Sequence, residues 1–148
     1  MFGERTLYLS TITDAFNREI ISWVVSESPN LRLAIDTLKQ AIGGREVTRV
    51  ILHSDQGSIY TAKKFQMYAK EKGIITSMSR RGNCHDNAVM ESFFGHLKSE
   101  AFYSQKITKV SNTTVREIVL EYIHYYNCVR IQGKLNYLSP VEYREQVA

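Results

Sequence analysis

The chain has 148 residues, 43% hydrophobic and 23% charged, which is one domain's length with enough apolar material for a core and excludes both a disordered tail and a disulfide-stapled mini-protein. No uncharged apolar run approaches the ~18 residues of a membrane span, and Met1-Phe2-Gly3-Glu4-Arg5 is no signal peptide, so the expected location is the cytoplasm, with no membrane partner. A net charge of +4 and a pI of about 9.1 favour polyanionic partners, although the basic excess is spread along the chain rather than gathered in one tail.

Residues 5–13 alternate apolar and polar side chains and are rich in β-branched and aromatic types, which predicts a strand. Asp14 to Arg18 supply turn chemistry and residues 20–25 a second strand, so the two form an antiparallel hairpin, with Asp14 read as a turn residue. Ser28-Pro29-Asn30 breaks that strand. Leu31, Leu33, Ala34, Leu38, Ala41 and Ile42 then recur with a helical period up to Gly43-Gly44. Residues 49–53 are a nearly continuous apolar run, expected as a strand covered on both faces, with Asp55 just beyond its end. Residues 61–72 predict a helix closed by Gly73, and residues 74–78 a short edge-like strand.

Residues 79–83 are basic and lack periodicity, so Arg80 and Arg81 lie in a loop, either as phosphate contacts or as solvated charges. Asp86 is positioned to cap a helix running through Glu91 to about residue 102, with Gly95 in its middle costing roughly 1 kcal/mol relative to Ala. A close approach by DNA or another backbone would account for that glycine. Asn87, Glu91 and Lys98 fall near one face of this helix, opposite Met90, Phe93 and Leu97.

Residues 114–117 have capping-box spacing, and Val115, Ile118, Val119, Tyr122, Ile123 and Tyr126 form an apolar stripe, the clearest helix in the chain. Tyr122, Tyr125 and Tyr126 could stack on bases, but the spacing suits packing better. Residues 127–136 are a basic connection carrying Arg130 and Lys134. Ser139-Pro140-Val141-Glu142 then supplies an N-cap, a first-turn proline and a reaching-back glutamate for a final helix. The two cysteines, Cys84 and Cys128, have no paired spacing, so neither a disulfide nor a zinc site with His53, His85 or His124 is indicated.

Two carboxylates carry the chemical interest. Asp55, at a strand tip, and Glu91, on the polar side of a helix, have thirty-five residues between them. Such a pair could converge on a divalent metal and hold it through oxygen ligands.

At this point the chain resembles the integrase-type catalytic core of bacterial insertion-sequence transposases, in the superfamily that includes retroviral integrases. The matching stretches are His53-Ser54-Asp55-Gln56-Gly57, residues 77–88, Glu91 to Lys98, Tyr125-Tyr126-Asn127 and Ser139 to Arg144. The resemblance implies an α/β, ribonuclease-H-like fold with a mixed central sheet flanked by helices. It makes residues 1–148 one catalytic-core domain, with residues 111–148 as its C-terminal helical part. It also implies an Asp, Asp, Glu site holding two Mg²⁺ or Mn²⁺ ions for cleavage and strand transfer. Asp55 matches the second Asp and Glu91 the Glu. Lys98 matches a basic residue near DNA, and Arg80, Arg81, Asn87, Arg130 and Lys134 are the further expected DNA contacts. The implied partners are transposon ends, target DNA and further copies of the chain in a homo-oligomer.

No residue matches the first Asp, which in that family lies on an initial strand just upstream of residue 5. The reading is therefore a core lacking its first strand and the ligand that would bridge both ions. That strand would lie between the strand at residues 5–13 and the one ending at Asp55, and both neighbours would be left with open edges. The expectation is a chain that is marginally folded or aggregation-prone alone. The alternative function is a non-catalytic DNA-binding or oligomerising remnant, and a housekeeping ribonuclease-H-like nuclease fits the loop and tail motifs less closely.

Overall fold

The computed structural model describes residues 6–45, 50–54, 57–78, 88–103 and 111–147. Strands β1 (Tyr8–Thr13) and β2 (Ile20–Ser26) form one two-stranded sheet, and β3 (Val50–Ser54) and β4 (Ile74–Met78) form another. The six residues from Asp14 to Glu19 are too few for a crossover, so β1 and β2 are antiparallel. The Asp14 N–H closes their turn on the Glu19 carbonyl at 2.8 Å. Strands β3 and β4 are parallel, with Val50 opposite Ile74 and Ser54 opposite Met78. The class is thus α/β with mixed strand directions, as the sequence implies. Among the described residues each of the four strands has one strand neighbour, and β1 and β3 are the two that the resemblance places beside a first, central strand.

The chain divides into two compact units. One is built from residues 8–12 and 22–88, the other chiefly from residues 13–21 and 89–148. In the first unit α1 (Leu31–Gly44) starts at Asn30, whose side chain accepts the Leu33 N–H at 3.1 Å. Its apolar side contributes Ala34 and Leu38 to a core completed by Phe65, Ala69 and Ile74, and Ile12 of β1 and Leu52 of β3 pack on that cluster. Buried Ser22 donates its hydroxyl to the Thr37 carbonyl and so pins β2 to α1. The helix predicted over residues 61–72 is divided into α2 (Ser58–Thr61) and α3 (Lys63–Glu71), because Ala62 is extended, with φ −59° and ψ 136°. Gly73, at φ 76°, stops α3 in the left-handed conformation that glycine adopts freely.

Strand β3 differs from its expectation. Leu52 packs on the helices, but Ile51 is 65% exposed and its parallel partner Ile75 is 59% exposed. Alternate side chains leave a strand on opposite faces, and the core cluster lies on the Leu52 side alone. An apolar run marks a strand that can be covered twice, and here it is covered once.

The second unit is built on α5 (Asn112–Cys128). Its N-cap is Ser111, whose Oγ accepts the Thr114 N–H at 3.2 Å, so the helix begins one turn before the capping box expected at residues 114–117. Against α5 lies α4 (Ala88–His96), continued by a π-helical turn, Leu97–Tyr103. Tyr122 and Tyr126 are buried there while Tyr125 is exposed, which decides for packing at two of the three tyrosines. Asn127 acts as a surrogate strand partner: its Oδ1 accepts the Ile20 N–H at 2.8 Å and its Nδ2 donates to the Ile20 carbonyl at 2.9 Å.

Helix α6 (Pro140–Val147) starts as the sequence predicts, with Glu142 N–H to Ser139 Oγ at 3.4 Å and the Ser139 hydroxyl to Glu142 Oε1 at 2.9 Å. It is tied to the β1–β2 turn by buried Asn17 donating to the Pro140 carbonyl at 3.1 Å and by an Arg144–Glu19 ion pair at 3.1 Å. Between α5 and α6 the chain makes a closed loop. Gln132 and Leu138 bridge it, and Gly133–Leu135 form a single 3-10 turn inside it. Asn136 and Tyr137 follow at φ 57° and 61°. The left-handed conformation costs an L-residue about 1–2 kcal/mol, a cost that Asn offsets locally and a bulky Tyr does not.

Candidate active site and nucleic-acid interface

Glu91 lies in the first turn of α4, where a carboxylate complements the positive end of the helix dipole. The helix is held by its opposite side. Phe93 is fully buried, edge-on to Tyr126 with ring centroids 4.9 Å apart, and Leu97, Ala101 and Phe102 are buried with it. Next to Glu91, the Met90 sulfur accepts the Thr13 hydroxyl at 2.8 Å. With that side fixed, Glu91 and Lys98 stand at exposed positions on the other. The polar stripe expected of this helix is present for these two residues. At Gly95 the expected approach of another backbone is not found among the described residues, where an added Cβ meets nothing within 4 Å.

Arg130 is turned to a carboxylate that sequence reasoning passed over. Its Nε lies 3.0 and 3.1 Å from the two oxygens of Glu100, and its Nη2 lies 2.9 Å from Oε1. The Tyr122 hydroxyl donates to the same carboxylate at 2.8 Å, and His96 Nδ1 stands 3.8 Å away. Burial alone would raise the Glu100 pKa. The hydrogen bonds from Arg130 and Tyr122 outweigh it and hold the carboxyl below its ordinary value. The Arg130 pKa is raised by its bond to Glu100, and that of Tyr122 is raised by burial and by donating to the carboxylate. The only sequence signal for this cluster is an acid flanked by Leu97, Ala101 and Phe102; its partner comes thirty residues later.

Lys134 is exposed on the 3-10 turn. Asp55, Arg80, Arg81 and Asn87 lie outside the described residues, as do Cys84, His85 and Asp86. Strand β3 is described up to Ser54, immediately before Asp55, and His53 Nδ1 lies 3.2 Å from the Ser77 hydroxyl across the parallel pair. Among the described residues no three His, Cys, Asp or Glu side chains are grouped to hold a metal ion. Glu91 offers the hard oxygens that suit Mg²⁺ or Mn²⁺, but as a single carboxylate. No described helix is long and apolar enough to cross a membrane.

Two family models, each described as an integrase core domain, match residues 1–84 and 91–147. A transposase-like protein of Haemophilus influenzae is 48% identical over 144 residues, covering 97% of this chain and 66% of its own length. The InsK transposase of insertion sequence IS150 from Escherichia coli is 48% identical over 96% of this chain and 50% of its own length. This chain therefore spans about half to two thirds of these relatives. Among solved structures, the HTLV-2 integrase catalytic core in complex with magnesium superposes with a TM-score of 0.70 at 15% identity, covering 95% of this chain and 92% of that one. A chain of a simian T-cell lymphotropic virus intasome in complex with the PP2A regulatory subunit B56 gamma gives 0.73 at 17% identity, over 89% of this chain and 46% of that one. At such identities the likeness is one of fold, and it is the ribonuclease-H-like integrase core.

Proposed function

The chain belongs to the integrase-core family, and from that premise we propose that it is the polynucleotidyl-transferase core of a DNA-transposing enzyme. The observation that carries the reading is the presentation of Glu91: an acid at an exposed position, on a helix whose other side is locked by buried Phe93. Asp55 and Glu91 would be the carboxylates that hold Mg²⁺ or Mn²⁺ and serve catalysis. When bound, the ions make a water or a 3′-hydroxyl nucleophilic and stabilise the leaving oxygen of the phosphodiester.

The remaining roles are those of positioning. Lys98, two helical turns from Glu91, would neutralise the phosphate beside the reacting one. Arg80, Arg81, Asn87 and Lys134 would fix the DNA backbone, and Arg130 would offer Nη1, the guanidinium nitrogen not bonded to Glu100. Transposon ends and target DNA are the substrates, and the working form is a homo-oligomer.

A second reading has its own observation. Among the described residues no three His, Cys, Asp or Glu side chains are grouped around Glu91 to hold a metal ion, which suits a non-catalytic remnant that binds DNA or joins the assembly of an intact transposase. Nicking of supercoiled plasmid, and joining of a 3′-hydroxyl oligonucleotide to it in Mg²⁺ or Mn²⁺, separate the two. The catalytic reading expects activity that Asp55→Asn and Glu91→Gln abolish while DNA binding persists. Plasmid bound but never cut with either metal rejects it in favour of the remnant.

A further inference from the structure

The loop between α5 and α6 is built to hold one aromatic ring out into solvent. Tyr137 is 73% exposed, yet its backbone is left-handed at φ 61°, directly after left-handed Asn136. A strained bulky residue persists only where the surrounding structure over-determines its backbone. The strain is enforced by the surrounding bonds. The N–H groups of Leu135 and Tyr137 both donate to the Gln132 carbonyl at 3.0 Å, Leu138 N–H donates to Leu135 at 3.1 Å, and Gln132 N–H donates to Leu138 at 3.1 Å. Leu135 is 3% exposed and Ser139 fully buried, so the loop is anchored at its centre and at its end. Beside the ring lies the bare backbone of Gly133, where an added Cβ would stand 3.8 Å from Tyr137 Cε1.

The chemistry around the ring selects its partner. From Tyr122 to Val141 the chain carries no carboxylate, and Lys134 stands exposed on the turn just before Tyr137. Val129 and Ile131 add exposed apolar surface at 56% and 58%. An exposed aromatic on a bonded loop, with a lysine three residues before it and a stretch of chain around it that carries no carboxylate, suits an unpaired nucleobase. The base stacks on the ring, and its phosphate meets the ammonium group.

We propose that Tyr137 is a stacking platform for an unpaired base at a DNA end or single-stranded overhang, with Lys134 on the adjoining phosphate. This rests on the DNA-directed reading above. The test uses the full chain with two probes, a blunt duplex and the same duplex bearing a 3′ overhang that contains 2-aminopurine. The unsubstituted chain is expected to quench the 2-aminopurine and to bind the overhang probe roughly ten-fold more tightly than the blunt one. Tyr137→Ala should remove both effects and leave blunt-duplex binding intact, and Tyr137→Phe should keep them. Tyr137→Gly should remove them while raising the unfolding midpoint, because glycine relieves the left-handed strain.

Equal binding of both probes by Tyr137→Ala and the unsubstituted chain overturns the proposal but leaves the DNA reading standing. Failure of the unsubstituted chain to bind either probe overturns both. A lower oligomer mass for Tyr137→Ala in light scattering, with unchanged overhang binding, assigns the loop to a protein interface and overturns the proposal as well.

Discussion

Replacing Asn127 with alanine is expected to cost the protein more than any other single polar substitution outside the site. Asn127 is 9% exposed, Ile20 is 1% exposed, and the amide of the one satisfies both backbone groups of the other at 2.8 and 2.9 Å. Alanine leaves a buried N–H and a buried carbonyl with no partner. Each orphaned group costs about 1–3 kcal/mol, so the expected loss is about 2–6 kcal/mol and a fall in Tm on the order of 10 °C. The assay is urea unfolding followed by tryptophan fluorescence, with the loss read as a shift in midpoint at unchanged slope. Leu120→Ala, at a position 53% exposed, is the control and should stay within about 0.5 kcal/mol. Asn127→Asp sharpens the logic: an ionised carboxylate still accepts from Ile20 N–H but faces the Ile20 carbonyl with an acceptor, and acidification, by restoring a donor, should recover part of the loss. An Asn127→Ala midpoint within experimental error of the unsubstituted chain would refute the argument.

Phe93→Ala, at a fully buried ring packed on Tyr126, should cost about 3–5 kcal/mol and displace the helix that carries Glu91; urea midpoints measure the first and loss of metal-dependent nicking the second. Glu91→Gln should leave the midpoint within about 0.5 kcal/mol while abolishing nicking, and Glu100→Gln should do the reverse, lowering the midpoint and sparing the chemistry. Because the folded pKa of Glu100 lies below 4.5, its stabilisation is present above that pH and is lost as pH falls through the lowered value. The midpoint difference between the unsubstituted chain and Arg130→Met should therefore shrink on acidification below 4.5, and a difference that grows there would contradict the assignment. Strands β1 and β3, each with one strand neighbour among the described residues, predict a broad, aggregation-accompanied thermal transition, which a sharp and reversible calorimetric peak would rule out.

The elements that the sequence announced were those whose signal is local. Alternation placed β1 and β2, Gly73 closed α3, and Ser139-Pro140 opened α6, each through chemistry within a few residues. What stayed illegible depended on partners distant in sequence. The start of α5 was read at the capping-box pattern of Thr114, but Ser111 caps it with an ordinary side-chain bond one turn earlier, and residues at both positions satisfy the same rule. The apolar run of β3 could not disclose that Ile51 and its partner Ile75 are exposed among the described residues. At the site, the exposed positions of Glu91 and Lys98 followed from helical spacing against Phe93, whereas the tie between Glu100 and Arg130 has no local signature.

That last tie bears on which acid can serve a metal. Glu91 and Glu100 lie on one continuous helical segment, nine residues apart, and nine residues are two and a half α-helical turns. In a regular α-helix two acids so spaced point to opposite sides, and the wider π-helical turn before Glu100 reduces that angle without bringing them onto one side, so a neighbour satisfying one need not touch the other. Glu100 received that neighbour. Its two oxygens accept from Arg130 and Tyr122, and a carboxylate so committed would have to surrender charge-assisted bonds before it could ligate a cation. Glu91 stands at an exposed position in the first turn of the helix, where a carboxylate complements the positive end of the helix dipole. Spacing from Asp55 singled out Glu91 in the sequence, and packing against α5 shows what Glu100 does instead.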